Sequence, residues 1–262
     1  MRGLKDKVII LTGAAGGLGQ ALAMRLTQEQ AYPVLVDHNQ SALLELSEDR
    51  SLNHPLCLSG DIANPDFITT IMAEAIEKYG KIDGLVNSAA ILLPDDGDIS
   101  QTPLPCWLKT MEVNLTAVFL TCQAVLPHLE KQGGAIVNLS SVVAHAASAT
   151  SQIAYTTAKG GVEALTKEIA VSYARHNIRA NCVAPGPVKT DRTAHYFEDT
   201  AKWELRRRHI PMGRLGKPDE IAGLVCFLLS EDAGYITGAS YLADGGIANA
   251  YVIDDVNGQE TP

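Results

Sequence analysis

The chain has 262 residues, 19% of them charged and 46% hydrophobic, a balance that excludes a disordered, collagen-like or fibrous protein. At this size folding buries roughly 70–75% of the surface that the unfolded chain exposes, so a core forms without disulfides or metal. The 21 Lys and Arg against 30 Asp and Glu give a formal charge of -9, which repels polyphosphate backbones and argues against nucleic acid as a partner.

Arg2, Lys5 and Lys7 precede the apolar run Val8 to Leu11 in the manner of a leader peptide, but Gly13, Gly16, Gly17 and Gly19 interrupt it. No apolar stretch reaches the roughly 18 residues that a spanning helix requires, so no membrane association is expected. Short runs rich in Val and Ile recur at Val8 to Thr12, Val34 to Asp37, Pro55 to Gly60, Ile82 to Asn87, Ala135 to Ser140, Ile178 to Ala184 and Tyr235 to Leu242. Their near-continuous apolar character, rather than alternation, suits strands covered on both faces. Segments with helical spacing lie between them, at Leu18 to Gln30, Phe67 to Tyr79, Trp107 to Lys131, Ala154 to Arg175 and Pro218 to Leu229. This alternation predicts an α/β fold, a Rossmann-type doubly wound parallel sheet of about seven strands with helices on both faces and ligands beyond the carboxyl ends of the strands.

No linker or repeat divides residues 1–262, which read as one domain. Thr190 to Met212 is a polar, weakly helical insertion suited to a lid or binding loop, and residues 247–262 form a polar tail. The five cysteines, Cys57, Cys106, Cys122, Cys182 and Cys226, form no C-x-x-C pair. They read as buried thiols in a reducing, cytoplasmic setting. The histidines show no metal-ligand spacing, so no catalytic metal is expected.

The first strand runs into Thr12-Gly13-Ala14-Ala15-Gly16-Gly17-Leu18-Gly19, which opens directly into a helix. Such a turn aims unpaired backbone N–H groups and the positive end of the helix dipole at one spot, and its glycines admit a pyrophosphate. No G-x-x-x-x-G-K-[ST] is present, which disfavours a nucleoside triphosphate. Asp37 closes the second predicted strand 24 residues beyond Gly13, near the roughly 20-residue separation at which a carboxylate meets the adenosine ribose. A carboxylate there accepts ribose hydroxyl protons and repels a 2′-phosphate. No Arg or Lys stands beside it to offset that repulsion, so NAD is favoured over NADP.

Tyr155 and Lys159 share one face of an amphipathic helix at i and i+4. With Thr12-Gly13-x-x-x-Gly17-x-Gly19 they resemble the short-chain dehydrogenase/reductase family, in its single-domain branch of about 250 residues. The resemblance covers essentially the whole chain and implies roles for further residues. Gly13, Gly17, Leu18 and Gly19 would cradle the cofactor phosphates. Asp61 and Ile62 match the pair that holds the adenine, and Asn87-Ser88-Ala89-Ala90 stands where the family usually writes Asn-Asn-Ala-Gly, which implies a cofactor-binding place for Asn87. Asn114 matches the active-site asparagine, Ser141 in Ile136-Val137-Asn138-Leu139-Ser140-Ser141 the catalytic serine, and Pro185-Gly186 the turn against the nicotinamide. Val188 and Thr190 match positions that contact its carboxamide, and Asp244-Gly245-Gly246 matches a C-terminal signature. Two departures stand out. Ser88 and Ala90 replace Asn and Gly, and Ser141 precedes Tyr155 by 14 residues, one more than the usual family spacing; Ser140 would lie further off still.

Hydride exchange at a carbinol carbon needs a group that gives or takes the hydroxyl proton near neutral pH, whereas free tyrosine has a pKa of about 10. A neighbouring ammonium favours phenolate, and Lys159 supplies one. The resemblance then implies that Lys159 also bonds the nicotinamide ribose, that Ser141 binds the substrate oxygen and that Asn114 holds a relay water. The expected activity is NAD(H)-dependent interconversion of a secondary alcohol, polyol, sugar or hydroxy acid and its ketone, in a homotetramer. Rival readings are a 3-oxoacyl-type carbonyl reductase, which the acidic charge and Asp37 disfavour, a nucleotide-sugar epimerase, which needs a longer chain, and a non-catalytic NAD-binding regulator. For the substrate, His145 and Gln152 are candidates, though loop residues of these types are more often simply solvated. Arg206-Arg207-Arg208-His209 could grip an anionic substrate, but reads more readily as a solvated helix face paired with Glu198, Asp199 or Glu204.

Overall fold

The computed structural model describes residues 1–52, 54–148, 150–190 and 200–250. Residues 191–199 of the predicted insertion, with Glu198 and Asp199, and 251–262 of the predicted tail lie outside them. Seven strands, β1 (Val8–Thr12), β2 (Tyr32–Asp37), β3 (Leu56–Ser59), β4 (Gly84–Asn87), β5 (Gly134–Leu139), β6 (Ile178–Pro185) and β7 (Ser240–Ala243), form one parallel sheet. Its order is β3-β2-β1-β4-β5-β6-β7. The order reverses between β1 and β4, which places the crevice of a doubly wound sheet above the carboxyl ends of these strands.

Both faces of the sheet are covered, as the unbroken apolar runs require. Helices α1 (Gly17–Gln28), α2 (Gln40–Glu48) and α8 (Pro218–Leu229) bury Leu22, Leu26, Leu43, Ile221 and Val225 against one face. On the other lie α3 (Pro65–Tyr79), α5 (Ala117–Leu129) and α6 (Ile153–Tyr173), which bury Ile71, Val118, Val125, Val162 and Ile169. The helix α4 (Leu104–Met111) precedes α5, and α7 (Thr200–Arg208) lies within the predicted insertion.

Three elements differ from their sequence-based expectation. The segment from Asp37 to Pro55 contains α2, which buries only Leu43 and so carries little periodic signal, though Asn39 caps it by accepting Ala42 N–H. The expected helix Trp107 to Lys131 starts earlier and is interrupted by a π turn, Glu112–Thr116. The last strand begins at Ser240 rather than Tyr235, because Gly238 turns with φ +75° and residues 237 and 238 bond to Ala180 as a connector.

Asp83 ties this frame together at the amino end of the sheet. Its carboxylate, 5% exposed, accepts Val8 N–H at 2.9 Å and pairs with Lys7 at 3.1 Å and Lys81 at 3.0 Å. Burial alone would raise its pKa, but Val8 N–H, Lys81 and Lys7 together hold the carboxyl below the usual carboxylate range. The linked stability is therefore full above the unfolded value of about 3.9 and is lost as pH falls through the lower folded value. Asp83→Asn is expected to cost about 2 kcal/mol near neutrality and to weaken the acid dependence of unfolding. Urea titrations at neutral and acidic pH check both, and a variant as stable as its parent at neutral pH contradicts the assignment.

Candidate active site

The turn after β1 is shaped by two close approaches. Gly13 has φ +71°, and a Cβ on it would lie 2.6 Å from both the N and Cα of Ala89. This packs the turn against the chain leaving β4, where Ser88 and Ala89 N–H donate to Thr12 Oγ1 at 3.2 and 3.4 Å. A Cβ on Gly19 would collide with the Gly13 carbonyl. Gly16 caps α1 without a side-chain bond, and the first turn of α1 holds no acidic residue. The N–H groups of Gly17, Leu18 and Gly19 thus stand in the first turn of a helix, where intrahelical partners are lacking. These features fit the phosphates of a dinucleotide.

The expected cofactor residues gather along the carboxyl edge of the sheet. Asp37, 8% exposed, ends β2, and its carboxylate accepts Ala15 N–H and Asn39 N–H, both at 3.0 Å. Asp61 stands exposed just after β3, while Ile62 is buried in the core beside it. Gly186 follows β6 so closely to the C-terminal signature that a Cβ there would lie 2.6 Å from Asp244 Cα. Beyond Pro185 and Gly186, Val188 is buried and paired in a parallel bridge with Gly216. Thr190 lies against the glycine turn, its Cβ 3.0 Å from where a Gly17 Cβ would be. The Asn87 side chain is buried at the end of β4. It donates to Asn138 Oδ1 at 2.9 Å and accepts from Thr121 Oγ1 at 2.8 Å, while Asn138 donates to Thr166 Oγ1 at 2.9 Å. This buried polar ladder ties α5, β4, β5 and α6 together beneath the cleft. The thiols of Cys122 and Cys182 border it, and burial pushes both up to about 12.

Helix α6 carries both Tyr155 and Lys159. Lys159, 2% exposed, donates from Nζ to Leu139 O at 2.7 Å, and the same Nζ lies 5.6 Å from the centroid of the Tyr155 ring. The ammonium is thereby fixed between the end of β5 and the phenol, the arrangement in which a cation favours phenolate. Ser140 and Ser141 follow β5 and diverge. The Ser140 hydroxyl is buried and lies 2.8 Å from Glu163 Oε1 and 3.1 Å from Lys159 O. Ser141, half-buried, opens the short turn Val142–Ala144 and accepts Val143 N–H at 3.4 Å.

Asn114 sits inside the π turn. Its Oδ1 accepts Ile91 N–H and its Nδ2 donates to Ile91 O, each at 2.8 Å. A π turn widens one helical turn and frees backbone for local use, and such turns recur at functional sites. Gly161 lets it approach α6: a Cβ on that glycine would meet Leu115 Cδ2 at 2.8 Å. Asn114 and the Tyr155-Lys159 helix are thus neighbours.

The substrate candidates fare differently. His145 Nε2 contacts Glu163 Oε1 at 2.8 Å and Ser240 Oγ at 3.3 Å, and Gln152 forms the N-cap position of α6. In the basic run, Arg207 bonds twice to Glu204, at 2.7 and 2.8 Å, while Arg208 lies 3.9 Å from the same carboxylate. These pairings match the solvated-face reading. Two buried carboxylates escape motif reading. Glu163 accepts bonds from Ser140 and Ser240, and Asp96 accepts two backbone N–H groups of α6. The only sequence signal for Glu163 is its helical register with Tyr155 and Lys159; Asp96 is one acid among several in a polar loop. Among the described residues, no group of three or more His, Cys, Asp or Glu side chains is placed to hold a metal.

Known proteins resemble this chain along most of its length. A family model described as Enoyl-(Acyl carrier protein) reductase matches residues 13–248. The chain is 35% identical over 252 residues to L-rhamnose 1-dehydrogenase (NAD(P)(+)) of Azotobacter vinelandii (strain DJ / ATCC BAA-1303), covering 93% of this chain and 97% of that protein. It is 35% identical over 248 residues to Dehydrogenase/reductase SDR family member 4 of Homo sapiens, covering 93% and 88%. The crystal structure of levodione reductase superposes with a TM-score of 0.87 at 33% identity, over 94% of this chain and 99% of that one. Sheet order, glycine turn and these relatives together establish that the chain belongs to the short-chain dehydrogenase/reductase family of nicotinamide-dependent oxidoreductases.

Proposed function

We propose that the chain is an NAD(H)-dependent dehydrogenase that interconverts a secondary alcohol and its ketone, with Tyr155 as general acid/base. The observation that carries this reading is the Lys159 ammonium, bonded to Leu139 O and held 5.6 Å from the Tyr155 ring. The bound nicotinamide supplies the hydride acceptor or donor. The chain's own residues do the rest. Gly13, Gly17, Leu18 and Gly19 cradle the phosphates, Asp37 and Asp61 hold the adenosine end, and Pro185, Gly186, Val188 and Thr190 flank the nicotinamide. Ser141 orients the substrate oxygen, Tyr155 takes the hydroxyl proton during oxidation and returns it during reduction, and Lys159 favours the phenolate. Asn114, fixed by Ile91, holds the proton relay beside Lys159.

The substrate is proposed to be a small alcohol, polyol, sugar or hydroxy acid, chosen by loops of the same fold. The rhamnose dehydrogenase relative supports the sugar class. A panel of L-rhamnose, other sugars, polyols, alcohols and hydroxy acids, followed by NADH appearance, tests the activity. A folded enzyme that binds NADH yet turns over neither the panel with NAD nor the matching ketones with NADH overturns it.

For the cofactor, Asp37→Arg is expected to shift the ratio of kcat/KM values toward NADP by at least about 100-fold, since a repelling charge becomes an attracting one near the 2′-phosphate. A parent enzyme that already prefers NADP contradicts the assignment. A homotetramer in a reducing cytoplasm completes the reading. It is supported by exposed Leu104, Leu108, Phe119 and Val171 on α4 to α6 and by five free cysteines, four of them buried. Sedimentation of the purified protein tests the assembly.

A further inference from the structure

The loop from β4 to α4 is held at both ends by the machinery of the site. At its start, Ile91 exchanges two backbone bonds with the Asn114 side chain, each 2.8 Å. Further on, the Asp96 carboxylate, 7% exposed, accepts Ala154 N–H on Oδ1 and Tyr155 N–H on Oδ2, both at 2.9 Å, and Gly97 O accepts Ile153 N–H at 3.1 Å. Three consecutive N–H groups in the first turn of α6 are therefore satisfied from a loop more than fifty residues away in sequence.

Helices usually meet this need with their own N-cap side chain. Gln152 makes no such bond. The cap instead comes from a remote buried carboxylate, whose charge lies at the positive end of the α6 dipole and whose bonds are charge-assisted. The loop is braced both between the two anchors and just beyond the second. Asp96 N–H donates to Leu93 O at 3.1 Å, Gly97 N–H to Thr102 Oγ1 at 3.0 Å and Thr102 N–H to Asp98 O at 3.0 Å.

We infer that Asp96 is a positioning residue for Tyr155. Its carboxylate grips the peptide N–H of Tyr155 itself, so the place of the phenol above the cleft is set by the same loop that fixes Asn114. Loop residues 91–97, braced by Thr102, act as a strut between the π turn and the first turn of α6. A displacement of about 1 Å between reacting groups costs on the order of 100-fold in rate, so a strut of this kind has a large effect without touching substrate.

The kinetic arm of the test rests on Tyr155 being the general acid/base, whereas the spectroscopic arm does not. The protein is labelled with 13Cζ-tyrosine, and the Tyr155 resonance is assigned as the one missing from Tyr155→Phe. Asp96→Asn keeps one acceptor oxygen and loses the second; Thr102→Val frees Gly97 N–H with no change of charge. In both variants the Tyr155 resonance is expected to move or broaden while the other tyrosines stay in place. With L-rhamnose, or the best panel substrate if L-rhamnose is not turned over, kcat is expected to fall about 10- to 100-fold for Asp96→Asn while the NADH Kd stays within roughly twofold. An unmoved Tyr155 resonance in both variants overturns the inference, and so does a kcat within roughly twofold of the parent. If Asp96→Asn does not fold, Thr102→Val alone decides by its Tyr155 resonance. If the parent turns over nothing, the proposed function fails and the resonance alone decides for Asp96.

Discussion

The Tyr155→Phe enzyme is expected to lose about 100- to 10,000-fold in kcat while binding NADH as the parent does. The substitution removes one oxygen from a half-buried ring and leaves its packing in the first turns of α6 intact. The oxygen is nevertheless the atom through which the substrate proton would pass. With Lys159 anchored on Leu139 O, the ammonium is expected to stay in place whether or not the phenol is present, leaving the proposed cofactor cradle unaltered. The loss therefore belongs in kcat rather than in cofactor affinity, the signature of an interaction made in the transition state. NADH fluorescence titration beside steady-state rates separates the two. Near-parental turnover with intact NADH binding removes Tyr155 from the chemistry.

The Gly13→Ala substitution is expected to act on the opposite side of the ledger, weakening NADH binding more than tenfold and lowering the melting temperature by about 4 °C or more. Gly13 stands at φ +71°, where a side chain costs about 1–2 kcal/mol. The added methyl would also sit 2.6 Å from the backbone of Ala89, which has no rotamer by which to move aside. Relief requires the turn after β1 to part from the chain after β4, and that widens the cradle. Thermal unfolding and NADH titration of the purified variant read the two effects. Parental affinity in a folded variant contradicts the role of the turn.

How much of this was legible in the sequence follows from where the physics is local. The strand β1 and the helix α8 match their expected limits, since a continuous apolar run and a Pro-initiated amphipathic pattern are local signals. The helix α2 was invisible because a single buried leucine carries no period. The π turn was invisible for a different reason: residues 104–129 keep a helical character throughout, and the inserted residue shows only as a change in register. Among site residues, Tyr155 and Lys159 announce themselves through i, i+4 spacing. Asp96 does not, since its partners lie on α6 and only the folded loop brings them together. Spacing alone separates Ser140 from Ser141 in the sequence, and it says nothing of their surroundings: the Ser140 hydroxyl is engaged by Glu163 and Lys159 O, while the Ser141 hydroxyl accepts Val143 N–H.

The ladder of Asn87, Asn138, Thr121 and Thr166 also bears on how the chain reaches its native state. Asn87 and Asn138 meet across β4 and β5, but Asn87 meets Thr121 only when α5 is seated, and Asn138 meets Thr166 only when α6 is. A chain with one helix docked strands amide and hydroxyl groups in an apolar layer, where each unsatisfied group costs about 1–3 kcal/mol. Half-assembled forms are therefore penalised, and both α5, which continues the π turn of Asn114, and α6, which carries Tyr155 and Lys159, are drawn onto the sheet. Docking of this kind sets the π turn and the Tyr155-Lys159 face against the sheet through a polar layer that the apolar core alone would not specify.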